Sequence, residues 1–340
     1  MPKRITLKHI ANTFGVSIAT VSKALSDSYE ISTSTKEKIV AYARKNNYKS
    51  KSIDLSLLHK KTKTIGVIIP NIMNSFFAKV FVGIETKATE HGYHLISCIS
   101  NESYEKEVKT MELLKSDTLD GIIISLAEET QVKQQYAHLQ NAINEGVPIV
   151  MFDRVSDTIA CDKVIVNDME SAFEATEHLI KTGCKRVALI SVIDNLSVGK
   201  LRVKGYKEAL EKSNIPIEEK LIIRIGKFED FDTALKIVLA DKTIDGLLCL
   251  EESAAINALR IVKHMKYKIP EEMSIACFTN GKMLQHLTPS ISAISQHGKF
   301  IGKTATDILI DRIENEDQNK PFITKVVKTS LIARDSTKRI

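Results

Sequence analysis

Lys23 is the one charged residue in the stretch GVSIATVSKAL at 15–25, in a chain that is 26% charged. If Ile18, Ala19, Ser22 and Lys23 share one side of a short helix, they can read base edges. A lysine donates to guanine O6 and N7, and alanine or isoleucine meets a thymine methyl. One such contact discriminates by about 1–3 kcal/mol. Ser17, Thr20 and Ser32 suit phosphate oxygens, which fix position and not sequence. A second chemical set lies downstream, behind short apolar runs. It comprises Asn71 to Phe77, Ser125, Asp153-Arg154, Glu251-Glu252, Thr279-Asn280 and Gln296, with Arg202 and Phe228 expected in loops. Planar hydrogen-bonding groups beside the rings of Phe76, Phe77 and Phe228 suit a small polyhydroxylated or heterocyclic ligand. Taken singly, Asp153 can be a helix cap and Arg202 a surface ion pair.

Catalytic chemistry has no comparable set. GKFIGKT at 298–304 has three residues between its glycines, where a phosphate loop needs four. Gly302 reads instead as a point of close helix packing. No G-x-G-x-x-G, G-x-S-x-G or H-E-x-x-H occurs, and the nine histidines are scattered. The five cysteines (Cys98, Cys161, Cys184, Cys249, Cys277) are far apart and form no C-x-x-C. Four of them sit in or beside apolar runs, where a free thiol packs as a small hydrophobe. That pattern fits a reducing cytoplasm and argues against zinc or a disulfide frame. No metal, no cofactor and no enzymatic activity are expected.

Three helices within residues 1–48 must position the first set. Thr6 can cap a helix whose apolar positions Leu7, Ile10, Ala11 and Phe14 form one face. Gly15 stops it, and Ser17 can cap the next. In that second helix Val21, Ala24 and Leu25 make a packing stripe. A third helix starts at Ser32 or Ser34, the latter with capping-box spacing to Glu37. Ile39, Tyr42, Ala43 and Tyr48 supply its apolar face. Two helices joined by a short glycine turn, followed by a third, describe a helix-turn-helix. A small bundle for protein contacts is the alternative. Charge agrees with an anionic partner: residues 1–63 carry thirteen Lys/Arg against four Asp/Glu, leaving −3 of the total +6 for the rest. A membrane surface, or a merely solvated leader, would also accept that charge.

Residues 49–62 form a polar, basic linker with an apolar seam at Ile53, Leu57 and Leu58. Beyond it, ten short β-branched runs alternate with stretches long enough for crossover helices, such as 76–91 and 171–183. The runs are 65–69, 95–99, 121–126, 149–152, 164–166, 187–192, 221–225, 246–250, 275–278 and 291–294. They are apolar without strict alternation, as strands covered on both faces are. This order implies parallel α/β sheets in two lobes. In such sheets ligands sit beyond the carboxyl ends of strands, where the second chemical set falls.

The stretch from Ile5 to Tyr48, and GVSIATVSKAL in particular, resembles the DNA-binding head of the LacI/GalR family of bacterial transcription regulators. The segments IGVIIPNIMNSFFAKVFVGIE, PIVMFDRV, LRVKGYKEAL, IPEEMSI and TPSISAISQ resemble that family's effector domain, as does the closing IGKTATDILIDRI…LIARDST. The resemblance covers residues 5–336. It implies a multidomain protein with an all-α helix-turn-helix head at 1–48 and a hinge at 49–62. The body at 63–340 would be an α/β, two-lobed domain like the type I periplasmic binding proteins. The first lobe would hold about 63–162 with 293–322, and the second 163–292 with 323–340. The matching positions imply that Ile18, Ala19 and Lys23 read bases. The wider DNA-contact set is Thr6, Leu7, Ser17, Thr20, Ser22, Ser32 and Thr35, with Leu57 as a minor-groove wedge.

Hinge residues Ser50, Asp54 and Leu55 depart from the usual proline and Ala-Arg, which puts the wedge in question and leaves a flexible tether as the alternative. In the body, Phe76 and Phe77 match ring-stacking positions, and Asp153, Arg202 and Gln296 match ligand-contacting ones. Arg154, Ser125 and Phe228 are looser candidates, and Glu251 is a candidate by its place behind a strand. Thr279 stands where an Asp often binds ligand, and Glu252 where an Asp usually opens a helix. The expected protein is therefore a ligand-controlled regulator, most simply a repressor. It would pair with double-stranded operator DNA, a small effector (a sugar or sugar derivative) and a second copy of itself. With no apolar leader, no membrane-length run and no heptad tail, it is expected to be cytoplasmic and dimeric. The rivals are a solute receptor without a DNA role and, on GKFIGKT alone, a phosphate-transferring enzyme.

Overall fold

Ile10, Ala11, Val21, Ala24, Ile39 and Ala43 meet in one small core, with Phe14, Val16, Leu25, Ile31 and Tyr42 packed around it. The helices that bring them together are α1 (Leu7–Phe14), α2 (Ile18–Leu25) and α3 (Thr33–Lys45). They belong to a computed structural model that describes residues 7–25, 28, 30–45, 62–114, 118–226, 229–315 and 320–337. Two units divide the chain, 1–62 and 63–340. In the first, Gly15 ends α1 with φ +64° in open space, so glycine is needed there for its backbone and not for room. The Val16 N–H then returns to the Ala11 carbonyl at 3.0 Å. Ser17 Oγ accepts from the Thr20 N–H at 3.0 Å and caps α2. Because α3 begins at Thr33, its cap is Ser32, whose Oγ accepts from the Thr35 N–H. Ser34 lies inside the first turn, so the Ser34–Glu37 capping box is not used. The Phe14 and Tyr42 rings meet edge to face, 5.3 Å apart, and tie α1 to α3.

The second unit runs β1 (Thr64–Ile69), α4 (Ser75–Glu90), β2 (His94–Ile99), α5 (Tyr104–Leu113), β3 (Gly121–Ile124), α6 (Glu128–Lys133), α7 (Ala137–Asn144), β4 (Ile149–Phe152) and β5 (Asp162–Val166). It continues with α8 (Asp168–Lys181), β6 (Val187–Ser191), α9 (Ser197–Lys212), β7 (Ile222–Arg224), α10 (Phe231–Leu239), β8 (Gly246–Cys249), α11 (Glu252–His264) and β9 (Ser274–Phe278). It closes with α12 (Lys282–His286), β10 (Ser292–Ser295), α13 (Gly298–Glu314), β11 (Thr324–Val327) and β12 (Ser330–Ile332). The strands form two six-stranded sheets, β11-β5-β4-β3-β1-β2 and β12-β10-β9-β8-β6-β7. Neighbours run parallel, as in Val67 beside Ser97 and Ile123. The β10–β12 pair is the antiparallel exception. Every residue of β3, β4, β8 and β9 is buried. Helices cover both faces, which explains why these runs are continuously apolar.

All ten expected strands are present. The expected lobe limits need correction. Val164, Ile165 and Val166 pair with β11 and Val164 also with β4, so β5 stays in the first lobe. Residues 292–294 pair with β9, and Ser295 with β12, so β10 belongs to the second lobe. The chain therefore crosses after Val166, between Ser295 and Gly298, and between Val327 and Ser330, not near 162, 293 and 322. The short edge strands β11 and β12 were not anticipated. Three residues of TKVV in β11 are exposed and SLI in β12 is half-buried, so neither forms the buried apolar run that marked the others.

In the first lobe α4 and α13 touch backbone to backbone. A Cβ on Gly302 would lie 2.1 Å from the Val80 carbonyl oxygen, and one on Gly83 would lie 2.1 Å from that of Lys299. Close packing is thus the role of Gly302, as the sequence suggested. Arg312 anchors α13 to β5 through two bonds of 3.0 Å to the buried Asp162 carboxylate.

Candidate functional site

The inward residues of α2, Val21 and Ala24, are wholly buried. Spacing of 3.6 residues per turn then leaves Ser17, Ile18, Ala19 and Lys23 on the outside, and all four are exposed. Ile18 is an uncovered apolar side chain at 47% exposure. The Lys23 ammonium pairs with the Glu30 carboxylate, both about half exposed. Ser17 and Thr20 share a hydroxyl–hydroxyl bond of 2.9 Å, and Ser32 donates to the Thr35 hydroxyl at 2.8 Å. The starts of α2 and α3 thus each carry a hydroxyl pair, while the middle of α2 offers methyl groups and one ammonium.

In the body, the carboxyl ends of β3 and β4 carry Ser125 and Asp153. Both are buried, and Ser125 Oγ and Asp153 Oδ1 have no hydrogen-bond partner among the described residues. Asp153 sits at φ +58°, a conformation that Asp and Asn tolerate better than most residues. Burial, then the charge of Asp168, pushes its pKa up from 3.8 to about 6. Asp168 opens α8 in the second lobe and is buried as well. Its pKa is raised by burial, against the pull of Arg202. Arg202 Nε donates to Asp168 at 2.7 Å and Nη1 to the Leu250 carbonyl at 2.9 Å. The guanidinium lies 4.1 Å from the Phe278 ring centroid. Asp153 of one lobe thus faces an acid–base pair of the other.

Arg154, next in sequence, donates to Glu102 at 2.5 Å and lies 5.3 Å over the Phe77 ring. Phe77 packs between Phe76 and Phe152, at 5.3 and 6.2 Å. Thr279, at φ +77°, donates through Oγ1 to Gln296 Oε1 at 2.9 Å.

Direct bonds bridge the lobes. Asn74, which caps α4, donates to Glu251 at 3.4 Å. The Ser75 hydroxyl donates to Glu252, and the Lys79 ammonium to the Asn280 carbonyl. Elsewhere on the boundary, Gln131 Nε2 donates to Ser197 Oγ at 3.1 Å, and the Ser197 N–H to Gln131 Oε1 at 3.2 Å. Water would satisfy these groups equally well if the lobes parted.

Residues 6–51 match the sequence family described as bacterial regulatory proteins, lacI family. Residues 176–337 match the periplasmic binding protein-like domain. The chain belongs to the LacI family of bacterial regulators. It is 27% identical over 337 residues to the HTH-type transcriptional repressor PurR of Vibrio cholerae, covering 98% of each chain. It is 29% identical over 346 residues to the ribose operon repressor of Halalkalibacterium halodurans, covering 98% of this chain and 97% of that one. Its fold is that of the transcriptional regulator CelR in complex with cellobiose, with TM-score 0.72, 20% identity and coverage of 98% and 100%. A LacI-family regulator from Enterococcus faecium with bound ribose aligns at TM-score 0.69 and 24% identity, over 80% of this chain and 98% of that one.

As a LacI-family member the protein is a DNA-binding transcriptional regulator with a ligand-binding effector domain. Among the sites expected from sequence, Ser17, Ile18, Ala19, Lys23 and Ser32 are exposed, and Thr20 and Thr35 are half-buried at the starts of their helices. Thr6, Leu57 and Phe228 lie outside the described residues. So do the side chains of Leu7 and Ser22, which are on α1 and α2. Arg202 lies within α9, not in a loop, and its ion pair is buried, not at the surface. Asp153 follows a strand and opens no helix. Glu251 caps α11 by accepting from the Ser253 N–H at 3.0 Å, besides its bond from Asn74.

Asp168, Phe278, Glu102 and Lys79 were missed. Asp168 follows the run VIVN after β5, so the rule of looking behind each strand could have found it. Phe278 was read only as the last residue of a strand. No helix of the described residues is long and apolar enough to cross a membrane.

Proposed function

We propose that the protein is a homodimeric repressor whose hold on a near-palindromic operator is set by a small polyhydroxylated effector, a sugar or sugar derivative, between the two lobes. Ile18, Ala19 and Lys23 read base edges. Ser17, Thr20, Ser32 and Thr35 position the head on phosphates. In the body, Ser125, Asp153 and Arg202 with its partner Asp168 bind the effector, beside Phe76, Phe77, Thr279 and Gln296.

The observation that carries the effector class is the pair of buried, unpartnered acceptors, Ser125 Oγ and Asp153 Oδ1, on adjacent strand ends. A buried polar group without a partner costs about 1–3 kcal/mol, and a ligand hydroxyl removes that cost by donating. A carboxylate accepts from two neighbouring hydroxyls, which a polyol supplies. Relatives named for ribose, and a neighbour holding cellobiose, support the same class.

Dimerisation is supported by the first lobe's surface. The edge strand β2 and helix α4 leave Ile96 and Val82 exposed at 40% and 49%. A two-fold contact there would present two heads to two half-sites one helical turn apart. A mobility-shift assay on the protein's own upstream DNA, with and without a panel of neutral sugars, tests the proposal. The expected result is a specific dimer–DNA complex whose affinity one sugar changes by about 5–150-fold, the usual range of allosteric coupling. A complex insensitive to every polyol, with none detected by calorimetry on the same protein, would overturn the effector class.

A further inference from the structure

Where the first turns of α4 and α13 approach the loop after β9, they line an open pocket of about 390 Å³. That is within the usual range for small-ligand sites, about 300–1,000 Å³. One part of its wall is Phe76, Thr279 and Gln296, which already belong to the effector set. Another part is Lys79, Lys299 and Lys303, and no aspartate or glutamate is among the lining residues. We propose that this cavity is a cationic extension of the effector site, built to hold a phosphate monoester, so that the effector is a phosphorylated polyol. This rests on the polyol site proposed above.

Three lysines line one cavity whose lining has no carboxylate, so it attracts a dianion. Charge-assisted bonds to phosphate are about twice as strong as neutral ones. Lys79 is the most hindered of the three in holding its charge. It is half-buried, and its pKa is lowered by burial first, with Arg334 and Lys282 adding like charge. Glu252 offsets this in part, but its carboxylate also takes the Ser75 hydroxyl. Gly298 brings the first turn of α13 against α4: a Cβ there would lie 3.1 Å from both Lys79 Cβ and the Phe76 carbonyl oxygen. The leading amides of a 17-residue helix therefore adjoin the lysines, and their dipole favours an anion.

The cavity also spans the lobe boundary. α4 and α13 belong to the first lobe, and Thr279 and Asn280 to the second. An anion here would join Lys299 and Lys303 to a loop that Lys79 already grips through the Asn280 carbonyl. Occupancy would favour the closed arrangement.

Calorimetry on the full-length protein, at fixed ionic strength, tests this with inorganic phosphate, ribose 5-phosphate and ribose as probes. The proteins compared are wild type, the double variant Lys299→Ala/Lys303→Ala and a control, Lys266→Ala. Phosphate should bind wild type and the control. Ribose 5-phosphate should bind about tenfold more tightly than ribose, equivalent to about 1.4 kcal/mol. The double variant should lose that advantage and keep its affinity for ribose. Phosphate that binds wild type and the double variant equally well is bound elsewhere, and overturns the cavity assignment. No phosphate binding at all overturns it too. If neutral sugars bind and phosphate adds nothing, the polyol site stands and the cationic extension falls. If phosphate binds through Lys299 and Lys303 while no sugar binds, the anion site stands and the polyol site falls.

Discussion

Asp153→Asn separates binding from stability in the effector domain. The residue sits at φ +58°, where asparagine is as much at ease as aspartate, so the backbone is not disturbed. Burial and then the Asp168 charge lift the Asp153 pKa from 3.8 to about 6. A rise of about two pH units corresponds to about 3 kcal/mol, at 1.36 kcal/mol per unit. The sign follows from proton counting. Between about 3.8 and 6 the folded protein holds a proton on Asp153 that the unfolded chain has released. Stability from this group is therefore complete below about 3.8, falls as pH rises, and is lost above about 6.

Asparagine never ionises, and its presence also relieves Asp168 of a like-charged neighbour. At about pH 7.5 the variant should be more stable than wild type in urea by up to about 3 kcal/mol, with the gain shrinking toward about pH 4. The same variant should lose its response to effector, because a carboxylate that accepts from hydroxyls has been removed. Paired urea titrations across that pH range, with calorimetry against the responding sugar, measure both. A variant that is less stable than wild type at neutral pH would refute the account of a strained, ligand-seeking carboxylate. So would a stability difference that does not change with pH.

Lys23→Ala should keep non-specific DNA affinity and lose about 1–3 kcal/mol of discrimination against base changes at one operator position, read by competition mobility shift. Operator affinity should fall with salt along a log–log slope of about −0.9 for each phosphate neutralised, measured by fluorescence anisotropy. Gly302→Ala would push a methyl group to 2.1 Å from the Val80 carbonyl oxygen. It should cost about 1–3 kcal/mol or more in thermal or urea unfolding, because α4 and α13 must separate. Arg312→Met would strand the buried Asp162 carboxylate and should cost about 3–5 kcal/mol, whereas an exposed pair such as Lys133–Glu129 should cost under about 1 kcal/mol when broken.

Most of the architecture was legible because buried parallel strands leave a strong mark. β3, β4, β8 and β9 are covered on both faces and appear as unbroken apolar runs. The head was legible for a different reason. Its short helices need a glycine at φ +64° and a serine cap two residues on, and both stand out in the sequence. β11 and β12 escaped notice because edge strands bury one face or neither. The lobe limits were misplaced for the same reason: a crossing leaves no composition signal, and only strand pairing shows that 162–166 stay with the first sheet.

The proposed effector site was half legible, and the missing half shows what pattern reading omits. Looking behind each strand located Ser125, Asp153, Thr279 and Gln296, because the carboxyl ends of parallel strands converge. It could not say that Arg202 would be held by Asp168, since the two lie on different helices and meet only when α8 packs on α9. Nor could it unite Lys79 with Lys299 and Lys303. Lys79 lies more than two hundred residues before the other two in sequence, and they converge because Gly83, Gly298 and Gly302 let α4 and α13 approach to backbone contact. Of these residues the sequence marked only Gly302, as a point of close helix packing. Small residues on two helices bring the charged residues beside them together, so a glycine stripe predicts where distant charges accumulate as well as where helices touch.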